Sequence, residues 1–153
     1  MVQSSKRIWF IVAVWAATIF ITSCTFIERK VFINFVGRFI PSGVPKYLWV
    51  SFWGAFGIFV VKAYHMAEFA LLCYLLFLVL SIRLVKKQGK AVFAASLFST
   101  LYAVSDEWHQ TFVPGRGGTW VDVVIDCCGI GLACAAIMWQ IKRQARHQNS
   151  GQS

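Results

Sequence analysis

Six acidic residues occur in this chain, and five of them, Glu68, Asp106, Glu107, Asp122 and Asp126, fall in stretches apolar enough to enter a bilayer. A carboxylate at the centre of a membrane span costs about 2.5 kcal/mol or more. Acids concentrated there read as a built site. His65, His109, Gln110 and Arg116 stand within a few residues of them. Carboxylates with imidazoles can relay protons or ligate a divalent cation such as Zn²⁺ or Mn²⁺. An arginine at the mouth can stabilise a phosphoryl charge or hold a lipid headgroup. Whether that chemistry is available depends on the elements that bring these residues together.

Those elements are membrane helices. The chain has 153 residues, 58% of them hydrophobic and 16% aromatic, with a mean hydropathy of +0.64. This profile belongs to a polytopic membrane protein. The formal charge of +9 does not point to nucleic acid, because the basic residues flank apolar runs, where they act as headgroup anchors and topology signals. Cys24, Cys73, Cys127, Cys128 and Cys134 lie inside apolar runs with no CxxC pair. They read as small packing residues, with neither a zinc ribbon nor a disulfide framework indicated.

Each span needs about 20 apolar residues. The pattern predicts spans over residues 8–27, 63–82, 91–110 and 120–141, giving an all-α four-helix membrane bundle within a single domain, 1–147, and a disordered tail, 148–153. Leu48–Val61, rich in Trp and Phe, is expected as an interfacial or re-entrant segment before the second span. Ile21-Thr22-Ser23-Cys24 has the form of a lipobox, but the apolar run around it is longer than a signal-peptide core.

Charge sets the direction. Lys6, Arg7, Arg83, Lys86, Lys87, Lys90, Lys142, Arg143 and Arg146 lie on one side if both termini are cytoplasmic, nine of the 15 basic residues, against six outside. The positive-inside rule prefers that arrangement. Lys62, His65 and Glu68 then sit near the outer end of span two. Asp106, Glu107, His109 and Gln110 sit near the outer end of span three, and Asp122 and Asp126 in the first turns of span four. One polar layer under the outer surface is expected. His65 and Glu68, and Asp122 and Asp126, each share a helix face. Gly129 and Ala133 continue the second face as small residues suited to close packing.

Plainer roles compete with this. Thr119-x-x-Asp122 has the form of a capping box. Lys62 and Arg116 suit headgroup anchoring, and the acids with Arg116 suit an ion network closing the helix ends. The Gly115–Thr119 loop precedes a helix N-terminus whose amides could receive an anion. Glycines there also simply let the chain reverse.

Glu107-x-x-Gln110, the turn Pro114-Gly115-Arg116, and Asp122-x-x-x-Asp126 followed by Gly129 together resemble the signature of the VanZ-like family. Lys62-x-x-His65 opening the second span resembles another family segment. The likeness covers about Lys62 to Ala133. Asp126 stands where many relatives carry Asn, and Ala133 where a second Gly is common. The resemblance implies a small multi-pass protein of the bacterial inner membrane and a link to teicoplanin resistance. Its implied partner is a membrane lipid, a lipid-linked cell-wall component or a lipoglycopeptide. Two other functions stay open beside binding: an intramembrane hydrolase of a lipid-linked substrate, metal-dependent or not, and a proton-coupled transporter or scaffold. No HExxH-type spacing is present, no cofactor is expected, and a second copy of the chain remains open as a partner.

Overall fold

The computed structural model describes residues 2–24, 29–39 and 45–150. The expected end of the first span at 25–27 and the last three tail residues lie outside them. Five helices follow one another: α1 Val2–Cys24, α2 Arg29–Val36, α3 Lys46–Arg83, α4 Gln88–Gln110 and α5 Trp120–Ser150. The backbone of 148–150 is the last turn of α5.

Helix α3 is the axis of the assembly, packed against α5, α4 and α1. Its inward stripe is Phe69, Leu72, Cys73, Leu76 and Phe77, the three- and four-residue spacing of one helical face. Helix α4 answers with Ala91, Ala95, Ser99 and Ala103, whose small side chains let the helices approach. Helix α1 buries Val12, Ile19 and Ser23. It is pinned by two side-chain bonds to neighbouring main chain: Trp15 Nε1 donates to the Glu68 carbonyl at 3.0 Å, and Tyr102 Oη donates to the Ala16 carbonyl at 2.8 Å. Helix α5 packs tightly on α3 at Gly129, where an added Cβ would collide with the carbonyl of Met66.

Among the described residues, three helices are long and apolar enough to cross a membrane: Ser5–Cys24, Lys46–Arg83 and Trp120–His147. Helix α4 is as long as α1 but more polar, with Ser96, Ser99, Ser105, Asp106, Glu107 and Gln110 along it. The segment expected to stand apart before span two is instead the first part of α3, continuous through Lys62. No proline interrupts 46–83, and the charge of Lys62 is matched within the fold (below), so nothing forces a break. Its aromatics pack on one another: Phe52 lies edge-on to Trp53 at 6.1 Å and Phe56 against Phe52 at 5.5 Å. Helix α2, absent from the expected spans, docks on this part through Phe32 against Trp53 at 4.8 Å and a 3.1 Å bond from Trp49 Nε1 to the Ile33 carbonyl.

Candidate functional site: a polar layer between four helices

The buried polar side chains are Ser23, Glu68, Ser99, Asp106, Glu107, Gln110 and Asp126. All but Ser99 belong to one layer near the α4–α5 turn. Helix α1 supplies Thr22 and Ser23 from its last turn. Helix α3 supplies Lys62, His65 and Glu68, spaced to share one face. Helix α4 supplies Asp106, Glu107 and Gln110, and α5 brings Asp122 and Asp126, one turn apart.

Asp106 is the acceptor at the α1–α4 contact. Ser23 Oγ donates to its Oδ2 at 2.7 Å, and Gln110 Nε2 donates to the same oxygen at 2.8 Å. Gln110 Nε2 also approaches Glu107 Oε1 at 3.3 Å. Glu107 reaches the start of α5, where its Oε2 accepts the Thr119 backbone N–H at 3.0 Å. That N–H is an unsatisfied donor at a helix N-terminus, which a carboxylate suits in hydrogen bonding and in dipole. Gly118 sits so close above Glu107 that a Cβ there would strike the Glu107 carbonyl. The chain therefore passes directly over the Glu107 main chain.

Thr119 caps α5. Its hydroxyl accepts the Asp122 N–H at 3.2 Å and donates to Asp122 Oδ2 at 2.8 Å. The reciprocal arm of a capping box, from the third residue back to the cap N–H, is replaced here by Glu107. Asp122 turns its other oxygen to Lys62, with which it forms a hydrogen-bonded ion pair. Asp122 is thus both cap and layer residue. Lys62 is tied to α5.

Arg116 folds back from the turn, and its Nη1 donates to the Ser23 carbonyl at 2.9 Å. The guanidinium is within electrostatic reach of His65, Glu68 and Glu107. Gly115, at φ 81°, makes the reversal at a backbone conformation that glycine adopts without strain. It lies on the exposed turn, away from the buried acids.

The α3–α5 side differs. Asp126 is 1% exposed, and among the described residues neither of its oxygens has a hydrogen-bond partner. The carboxyl groups of Glu107, Asp106, Asp122 and Glu68 are all within electrostatic reach of it. Glu68 accepts Thr22 Oγ1 on one oxygen at 3.3 Å. His65 Nδ1 stands 3.6 Å from the other, beyond a hydrogen bond. Among the described residues His109 Nδ1 has no hydrogen-bond partner. Its ring lies against Phe20, with centroids 4.9 Å apart, in the α1–α4 groove that Asp106 also lines.

Sequence reasoning met Thr22 and Ser23 only as part of a lipobox form, not as residues of the site, and did not single out Trp15. The available signal was a Thr-Ser pair closing an otherwise apolar run. Cys24 beside them is exposed, while Thr22 and Ser23 hold α1 to the layer. Among the described residues no three His, Cys, Asp or Glu side chains are grouped so as to hold a metal ion.

What results is a helical membrane protein with a carboxylate-rich layer closed over by its last interhelical turn. It belongs to the VanZ/LLP1 family, whose family model matches residues 8–142. Neither a curated protein nor a solved structure is matched by the chain.

Proposed function

We propose that the protein crosses the bacterial inner membrane four times with both termini cytoplasmic. In that arrangement its polar layer binds a cell-envelope lipid or lipoglycopeptide from the outer leaflet, a role of the teicoplanin-resistance kind. Helix α4 supports the fourth crossing. It is about 35 Å long at 1.5 Å per residue and packs between neighbours that are apolar enough to span. The short turn from α3 to α4 carries Arg83, Lys86, Lys87 and Lys90, which favours its placement in the cytoplasm. The polar layer then lies under the opposite, outer surface. On this reading α3, about 57 Å long, exceeds the roughly 30 Å hydrocarbon core. Its aromatic first part occupies the outer interface.

The observation that carries the proposal is Asp126, a buried carboxylate among other carboxylates with no partner of its own among the described residues. Buried polar groups are paired in folded proteins as a rule, and each exception asks for a role. A ligand is the missing partner. The expected outcome for Asp126→Ala, Glu107→Ala and Arg116→Ala, each inserted and monodisperse, is loss of co-purifying envelope lipid and of any protection against teicoplanin. Unchanged lipid retention and unchanged susceptibility in all three would overturn the proposal.

A further inference from the structure

Two grooves flank α4 at the depth of the polar layer. The one between α4 and α5 has a volume of about 320 Å³, and its lining includes Val104, Glu107, Trp108, Thr111, Trp120 and Val123. Its walls are mostly apolar. Trp108 and Trp120 stand at its rim, 68% and 78% exposed, as tryptophans do at a membrane interface. Glu107 is the only ionisable residue in that lining. Each Glu107 oxygen accepts one hydrogen bond and keeps capacity for another. Glu107 and Asp126 are both buried carboxylates of the polar layer.

This arrangement defines its occupant. The groove suits an acyl chain, because its lining is apolar and it opens beside lipid-facing tryptophans. The end of the groove needs positive charge and hydrogen-bond donors, because Glu107 in its lining is a carboxylate with spare acceptor capacity, and Asp126, buried outside that lining, has no donor among the described residues. Of the layer's lysine and arginine, Lys62 is paired with Asp122, and Arg116 gives one arm to the Ser23 carbonyl. A primary ammonium meets the need with three N–H donors, which a quaternary ammonium lacks. Arg116 uses one arm of its fork on Ser23, and the others are suited to a phosphate.

Resting on the lipid-binding reading above, we infer that the α4–α5 groove takes a phospholipid whose headgroup ends in a primary ammonium. Its acyl chain lies between Trp108 and Trp120, and its ammonium lies between Glu107 and Asp126. Entry is lateral, from the bilayer.

The test is native mass spectrometry of the full chain. The protein is released from nanodiscs containing phosphatidylethanolamine, phosphatidylglycerol and phosphatidylcholine with identical acyl chains. Phosphatidylethanolamine is expected to be retained about tenfold over the other two, equivalent to about 1.4 kcal/mol. Asp126→Asn and Glu107→Gln should abolish that preference. Val123→Trp, which fills the groove and leaves both carboxylates in place, should lower retention of phosphatidylethanolamine to the level of the other lipids. Equal retention of the three lipids by the unsubstituted protein would overturn the inference, as would a preference that survives Asp126→Asn. If retention is equal but still falls with Glu107→Gln, the headgroup assignment fails and lipid binding stands. If no lipid is retained more by the unsubstituted chain than by Glu107→Gln, lipid binding fails with it.

Discussion

Asp106 and Asp126 are the same side chain at nearly the same depth, 4% and 1% exposed. Their surroundings have little in common. One oxygen of Asp106 accepts two donors, from α1 and from its own helix, whereas Asp126 accepts none among the described residues. Burial alone therefore does not say what a carboxylate is for. Asp106 joins α1 to α4 and is part of what holds the bundle together. Asp126 contributes no bond to the fold, and its desolvation is uncompensated by any described neighbour.

That contrast can be broken by substitution, with folded fraction in a denaturing-detergent titration as the measure. The largest effect is expected from Asp106→Ala. It strands the Ser23 hydroxyl without its acceptor and leaves the Gln110 amide only longer contacts to Glu107 and Ser23, and should cost about 3 kcal/mol, since an unsatisfied buried group costs about 1–3 kcal/mol. Gly129→Ala should follow at about 2 kcal/mol, within the range for overpacking a close contact, because the new methyl meets the Met66 main chain. Lys62→Met should cost under about 1 kcal/mol, for the Lys62–Asp122 pair is about one-third exposed on both sides and half-exposed ion pairs contribute little. The smallest loss belongs to Asp126→Asn, close to zero or a slight gain, since the amide matches the carboxyl in shape and Asp126 makes no side-chain hydrogen bond among the described residues for it to lose. A loss of more than about 2 kcal/mol there would mean that Asp126 has a structural partner, and the contrast with Asp106 would collapse.

Much of the layer was legible in the sequence, because intramembrane charge is rare enough to be conspicuous and helical spacing says which residues share a face. The spacing of Asp122 from Thr119, and the small residue at 129, also spoke for themselves. Three features were not legible. Ser23 and Thr22 are hydroxyls, cheap to place in an apolar run, and only their partners on α3 and α4 reveal them. His109 sits one residue from Gln110, and a 100° step is enough to turn its ring against Phe20. The continuity of α3 depends on tertiary matching. Lys62 looks like a break in an apolar stretch until Asp122 is seen to meet it. The same holds for the two parts of α3, whose hydropathy is similar. Phe69, Leu72 and Cys73 face protein while Phe52, Phe56 and Phe59 remain exposed, a distinction that depends on what stands alongside.

The bond from Arg116 to the Ser23 carbonyl has a consequence for biogenesis. The first helix to leave the ribosome ends in Ser23, whose hydroxyl acquires its acceptor only after 83 further residues have been made and whose carbonyl acquires its donor only after 93. Until then the translocon or lipid interface must accommodate them. A nascent chain stalled before the α4–α5 turn should therefore expose α1 to membrane quality control, even though every apolar segment needed for that helix is already in place.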